Sequence, residues 1–170
     1  MCSKRVEHTQ HRLMLGELQV LHVKIGKWRT AHWSLFCDES LADFDALLVV
    51  EPFVYEYLDT GEPAFPVERN WQLFKPSTRQ EGETRHAYRA AIWVNKRHAA
   101  QQVAVPSSDV VAVAFPTKRS VVLNVSAYEV KSTDGQAADE EQIRAKLQII
   151  KKAYDGLKKD GKNGQADLLL

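Results

Sequence analysis

The feature that most constrains the fold is the run Ala46–Val50, which is apolar at every position. A strand that is apolar on both faces needs cover on both sides, as in layered α/β domains. A second apolar strand is predicted over residues 18–25, and residues 28–44 between the two strands carry apolar side chains at helical spacing. The run ends at Glu51-Pro52, so one carboxylate stands at the carboxyl end of a strand, where such folds place ligands. The sequence therefore predicts a strand-helix-strand opening, with Glu51 as the first candidate site residue.

Short strand-like runs follow one another in the middle of the chain. They are rich in β-branched and aromatic residues and are separated by turn residues, which is typical of an antiparallel meander. The predicted strands are Trp71–Phe74 and residues 87–94, 101–105, 110–115 and 121–128. A long loop is predicted over residues 52–69, because turn-forming residues are dense there. The middle of the chain thus predicts a second block of sheet.

The last part of the chain predicts a helix and then a strand. Apolar residues recur on one helical face, and acidic residues precede them while lysines follow. The stripe consists of Ile143, Leu147, Ile150, Tyr154 and Leu157. After a turn, residues 166–170 predict a buried strand.

Length and composition predict one globular domain. The chain has 170 residues, of which 44% are hydrophobic, and a formal net charge of +1. Binding of nucleic acid would therefore need a local basic patch, and residues 75–89 are the most basic cluster, either a solvated loop or a phosphate contact. We expect residues 1–17 to be a loosely ordered leader and residues 18–170 to form the domain. With neither a signal peptide nor a membrane span apparent, we expect an intracellular protein, cytoplasmic or nuclear and not secreted.

Two interpretations of Glu51 stay open on the residues alone. Its carboxylate is an oxygen donor of the kind that hard cations need, but many surface turns also contain such a residue. The sequence shows no nucleophile elbow, phosphate-binding glycine loop, His-Glu helix motif or paired Cys-x-x-Cys, which removes several common enzyme classes.

Three blocks of sequence carry a resemblance to a known family. They are residues 18–27 (LQVLHVKIGK), residues 45–54 (DALLVVEPFV) and residues 87–94 (AYRAAIWV). In this order they resemble the endonuclease domain of fungal LINE-type (non-LTR) retrotransposons, which belongs to the endonuclease/exonuclease/phosphatase superfamily with the DNase I-like fold. The resemblance runs from about Leu18 to the last residue. It implies an α/β fold of two packed sheets flanked by helices, and the nicking of DNA with Mg²⁺ held by carboxylates.

The resemblance also implies roles for individual residues. Glu51 matches the metal-binding Glu of the family, and Tyr128 matches a Tyr near the scissile phosphate. The first-strand Asn of the family falls on Lys24, which has no acceptor and would add a cation beside the metal. The Gly-Asp-x-Asn and Ser-Asp-His motifs of the family would follow residue 170, so the resemblance implies an incomplete, truncated sandwich.

We therefore expect a truncated, inactive relic of a retrotransposon endonuclease that does not retain Mg²⁺. DNA is the partner that the family implies, and uncovered sheet surface around residues 166–170 predicts self-association. Recruitment to a non-catalytic role, for example within a fungal secondary-metabolite gene cluster, leaves no trace in the sequence. The alternative is a Mg²⁺-dependent DNA-nicking endonuclease, whole or completed by another chain.

Overall fold

The computed structural model describes residues 10–15, 18–76, 88–116, 120–128, 140–160 and 165–169. Two β-sheets pack face to face, and a helix covers the outer face of each. The predicted α/β class, a two-sheet sandwich flanked by helices, is confirmed. Neither helix in these ranges combines the length and the apolarity that a membrane span requires.

The predicted strands and helices occur in the predicted order, with boundaries shifted by a few residues. Three elements were not predicted: a strand within residues 1–17, a short hairpin within the expected long loop 52–69, and a 3₁₀ helix. The strands are β1 Gln10–Leu15, β2 Leu18–Lys24, β3 Ala46–Val50, β4 Tyr55–Glu56, β5 Pro63–Ala64, β6 Trp71–Phe74, β7 Ala90–Asn95, β8 Gln101–Val103, β9 Val110–Pro116, β10 Ser120–Ala127 and β11 Gln165–Leu169. The helices are α1 Arg29–Phe36 and α2 Glu140–Asp160, with a 3₁₀ helix at Glu39–Asp43.

The first sheet has five strands in the order β1-β2-β3-β7-β6. Strands β2 and β3 are parallel, as expected for strands joined by a helix, and the other pairs are antiparallel. Part of the segment that we expected to be a loosely ordered leader is β1, which pairs along its length with β2. The assignment of β6 and β7 to the second block of sheet was wrong, because both strands complete the first sheet.

The second sheet has four strands in the order β11-β10-β9-β8. Strands β8, β9 and β10 form an antiparallel meander, so that part of the prediction is confirmed. Strand β11 runs parallel to β10, and α2 provides the crossover between them. The predicted last strand is therefore an edge strand of this sheet.

Strand β3 lies inside the first sheet, and all of its residues are buried. Alternate residues point to opposite faces. Leu47 and Val49 join the core beneath α1 with Trp93, while Ala46 and Leu48 join the core between the two sheets. The prediction that this run is covered on both faces is confirmed.

Both helices differ in detail from the sequence patterns. Helix α1 ends at Phe36, and the chain then forms the separate 3₁₀ helix, where the Asp38 carboxylate accepts a hydrogen bond from the Ser40 amide at 2.9 Å. In α2, Ile150 is buried against the second sheet, but Leu147 is 46% exposed although it belongs to the predicted stripe.

The other end of β3 is fixed by Asp45, a buried carboxylate. It accepts hydrogen bonds from the Gln19 amide at 2.6 Å and from the Arg97 guanidinium at 2.6 and 3.0 Å, and it contacts His98. Burial on its own would raise the pKa of Asp45, but the hydrogen bonds from Gln19, Arg97 and His98 together hold that pKa below its usual value. This network ties the starts of β2 and β3 to the turn after β7.

Candidate active-site edge

Glu51 lies directly after β3, at the carboxyl end that the sequence predicts. Its amide donates to the Arg89 carbonyl at 2.8 Å, and its carbonyl accepts from the Lys27 amide at 2.8 Å. Its φ is 52°, a left-handed value that is uncommon for residues other than glycine and costs free energy. The turn after β2 and the residue before β7 therefore hold the Glu51 backbone in place from both sides.

The side chain of Glu51 forms an ion pair with Lys24. In the parallel pairing of β2 and β3, Lys24 stands opposite Val50, the residue before Glu51. The Lys24 Nζ lies 3.1 Å from the Glu51 Oε2, with side-chain exposures of 56% and 18%. A pair this exposed contributes at most about 1 kcal/mol to stability. The Lys24 ammonium lies directly beside the Glu51 carboxylate, so any other cation at Oε2 would have to compete with it.

Tyr128 lies at the same edge but belongs to the second sheet, one residue beyond β10. Its ring faces the Arg89 guanidinium, with 5.2 Å from Cζ to the ring centroid. Its amide donates to the Asp109 carbonyl at 3.0 Å. Arg89 precedes β7 in the first sheet, so this contact links the two sheets. Through Arg89, the structure brings Glu51 and Tyr128 to one edge of the sandwich.

Asp109 completes this edge with a second carboxylate. It lies 3.9 Å from the Arg89 Nε and 3.6 Å from the Lys146 Nζ, which comes from α2. The Lys146 ammonium also donates to the Tyr128 carbonyl at 2.5 Å. We refer to Lys24, Glu51, Arg89, Asp109 and Tyr128 as the Glu51 edge.

Sequence reasoning missed most of these partners. Arg89 was considered only as one member of the basic cluster 75–89, and most of that cluster lies outside the described residues. Asp109 and Lys146 were not singled out, because neither belongs to a motif. The contacts of Arg89 with Tyr128 and Asp109 cross between the sheets, so no local pattern could have revealed them.

A buried histidine holds the chain just beyond Glu51. His32 on α1 is fully buried between Phe36 and Trp93, and its Nδ1 accepts a hydrogen bond from the Phe53 amide at 3.2 Å. Because Nδ1 is the acceptor, the proton of the neutral ring is on Nε2, which has no partner in the described structure. Burial lowers the pKa of His32 to about 4. The ring is therefore neutral near pH 7.

The described residues do not fit Mg²⁺. This ion needs oxygen ligands in near-octahedral geometry, usually from one or two carboxylates with water or phosphate. Within the described ranges, no three His, Cys, Asp or Glu side chains form a group that could hold a metal. The two carboxylates of the Glu51 edge, Glu51 and Asp109, each already have a lysine as partner. An ammonium at 3.1 Å repels a second cation at the same oxygen.

Among solved structures, the chain is similar to the endonuclease domain of TRAS1, a telomere-specific non-LTR retrotransposon. The two are 17% identical with a TM-score of 0.46, and the similarity covers 75% of this chain and 52% of that chain. This chain therefore spans about half the length of that domain. Neither a family model nor a curated protein matches the chain.

Proposed function

We propose that this chain is a retrotransposon-derived endonuclease-like domain that does not cleave DNA. The sequence blocks around β2, β3 and β7 support the origin, which we assign to fungal LINE-type elements. One observation carries the inactivity: the Lys24 ammonium lies 3.1 Å from the Glu51 carboxylate. The one carboxylate that matches a metal ligand of the family is thus neutralised by the chain itself.

Two cations, Mg²⁺ and the Lys24 ammonium, would compete for the Glu51 carboxylate. Mg²⁺ gives up its water reluctantly and needs an accessible negative charge. At Glu51 it would have to displace an ammonium that is covalently tethered to the neighbouring strand and therefore always present. With Arg89 also at this edge, the local charge further opposes the approach of a divalent cation.

A DNA-nicking assay tests this proposal. Purified chain is incubated with supercoiled plasmid and Mg²⁺, and the fraction of nicked circles is compared with that produced by Glu51→Ala. We expect both proteins to give the background level. Nicking by the unmodified chain that disappears in Glu51→Ala would overturn the proposal.

The second candidate function is a Mg²⁺-dependent endonuclease that another chain completes. The observation that favours it is the left-handed backbone of Glu51, since strained residues cluster at functional sites. In that case Lys24 would have to move away when the missing ligands arrive. Nicking of plasmid that appears only when a second chain is added, and that disappears in Glu51→Ala, would favour this candidate, whereas the inactive domain gives background nicking with any added chain.

DNA remains the partner that the proposed origin suggests. The Glu51 edge with Lys146 carries three cations, Lys24, Arg89 and Lys146, against two carboxylates. One excess positive charge supports a weak, salt-sensitive contact with phosphates and no base-specific contact. The same proposal includes recruitment to a non-catalytic role, for example in a fungal secondary-metabolite gene cluster. Such a role requires a binding surface other than the Glu51 edge.

A further inference from the structure

A small hairpin follows Glu51 and belongs to neither sheet. Among the described strands, β4 and β5 pair only with each other. The turn between them is closed by hydrogen bonds from the Tyr57 amide to the Glu62 carbonyl at 3.0 Å and from the Gly61 amide to the Tyr57 carbonyl at 2.8 Å. Gly61 has a φ of 66°, which glycine adopts without strain. The hairpin, residues 55–64, is therefore an ordered projection.

Aromatic rings line one face of this hairpin. Phe53, Tyr55 and Tyr57 alternate along the chain, and successive ring centroids are 6.3 and 5.9 Å apart. On the opposite face Val54 is buried, which anchors the base of the hairpin to the body of the protein. The row of rings leads outward to Tyr57, which is 52% exposed, and to Leu58, which is fully exposed. Large apolar side chains are thus held at the tip.

The same segment is acidic. The carboxylates are Glu56, Asp59 and Glu62, all exposed, and residues 53–65 contain no Lys, Arg or His. The chain as a whole has a formal net charge of +1, so this concentration of negative charge is local. An exposed apolar tip with a rim of one charge is typical of an interaction site.

We propose that the hairpin is a docking surface for an arginine-containing apolar segment of another protein. Guanidinium groups pair with carboxylates through two parallel hydrogen bonds and also stack on aromatic rings. An arginine of the partner would therefore pair with the Asp59 carboxylate and stack on the Tyr57 ring. An apolar side chain of the same segment covers Leu58. Charge complementarity selects this partner over nucleic acid, because the carboxylates repel phosphates. The inference does not depend on whether the chain cleaves DNA.

Fluorescence anisotropy with defined peptides tests the proposal. The probe is a short labelled peptide of arginine, leucine and glycine, which the full chain should bind. Two comparison peptides replace either every arginine by glutamate or every leucine by serine, and both should bind at least about tenfold more weakly. No binding of the probe, or equal binding of the serine peptide, would overturn the proposal.

Variants of the chain locate the binding. Leu58→Ser should weaken probe binding about tenfold, because it removes the fully exposed apolar side chain that the probe would bury. The double variant Asp59→Asn/Glu62→Gln should weaken probe binding and make that binding less dependent on salt concentration. The matched control is Val67→Ser, an apolar residue outside the hairpin that is 62% exposed, and it should change nothing. Equal effects of Leu58→Ser and Val67→Ser would overturn the proposal.

Two further measurements exclude other occupants. Sedimentation velocity of the unmodified chain and of Leu58→Ser should give the same association state. A dimer that Leu58→Ser dissolves would assign the hairpin to a second copy and overturn the proposal. A single-stranded oligonucleotide should bind both proteins equally, and binding that is lost in Leu58→Ser would overturn it in favour of nucleic acid.

Discussion

The guanidinium of Arg89, from the first sheet, lies over the ring of Tyr128, from the second sheet, with 5.2 Å between Cζ and the ring centroid. The two residues belong to different sheets, so their contact joins the sandwich at the same edge that holds Glu51. The weak ion pair of Arg89 with Asp109, at 3.9 Å, adds to this connection.

Arg89→Ala should lower the free energy of unfolding by about 0.5 to 1 kcal/mol, the usual contribution of a cation-π contact at a partly exposed site. Arg89→Lys keeps the charge but not the planar group, and we expect an intermediate loss. Urea unfolding followed by tryptophan fluorescence measures both. A stability of Arg89→Ala equal to that of the unmodified chain would show that the contact does not hold the sheets together.

Lys24→Asn should not restore DNA cleavage. It removes the ammonium from Glu51 and places an amide beside it, but it adds no carboxylate. The measurement is the fraction of nicked plasmid in Mg²⁺, compared with the double variant that also carries Glu51→Ala. Cleavage by Lys24→Asn that requires Glu51 would mean that the edge already contains enough ligands.

The neutral state of His32 makes stability depend on pH. The pKa is about 4 in the folded chain and near 6.5 in the unfolded chain, so the unfolded state takes up the proton first as pH falls. The stabilisation is complete above pH 6.5 and is lost as pH decreases towards 4, amounting to about 3 kcal/mol in all.

His32→Asn provides the comparison, because an Asn side chain can still accept the hydrogen bond from the Phe53 amide. It should be less stable near neutral pH but should lose less stability between pH 6.5 and 4. Chemical denaturation at a series of pH values measures the difference. Parallel pH curves for the two proteins would show that the pKa of His32 does not differ between the folded and unfolded states.

Asp45→Asn should lower the free energy of unfolding by about 2 kcal/mol, because hydrogen bonds to a charged acceptor are stronger than those to an amide. Arg97 is half-exposed and recovers part of its hydration, which keeps the loss moderate. Asp43→Asn, an exposed carboxylate two residues earlier, is the matched control and should change stability little. Equal thermal midpoints for the two variants would contradict this role of Asp45.

Self-association through the edge strand β11 also stays a prediction. An edge strand presents backbone groups to which another chain can pair, and lysine on such a strand opposes this pairing. Sedimentation velocity over a range of concentrations should show association that Leu169→Lys reduces and that Gln102→Lys, on the opposite edge strand β8, does not. A monodisperse monomer at high concentration would count against it.

Local patterns predicted much of the fold. The apolar run of β3, the helical spacing of α1 and the charge order of α2 are each contained within a few neighbouring residues. Sheet membership was not contained in this way. Both β6 and β7 are strands by composition, but β7 joins the first sheet by pairing with β3, and β6 joins it by pairing with β7. The exposure of Leu147 likewise follows from how α2 is rotated against the second sheet, and the spacing of the apolar residues along α2 does not reveal it.

The candidate site was predicted in part. Glu51, Lys24 and Tyr128 were singled out one at a time, and their placement at one edge depends on the parallel register of β2 and β3 and on the packing of the two sheets. The side-chain contacts of Arg89 with Tyr128 and with Asp109 cross between the sheets. Such contacts join residues far apart in the chain, so the sequence around each residue does not contain them.

The left-handed backbone of Glu51 has a consequence for any exchange at that position. Two backbone hydrogen bonds, with Lys27 and Arg89, fix the conformation there, and neither uses the Glu51 side chain. The side chain of any L-residue placed at position 51 therefore points in the same direction, and that residue has the same unfavourable φ. Replacement by alanine or glutamine changes the chemistry of this edge at constant backbone geometry, whereas replacement by glycine would also relieve the strain. The loss of the carboxylate can thus be studied separately from any rearrangement of the chain that presents it.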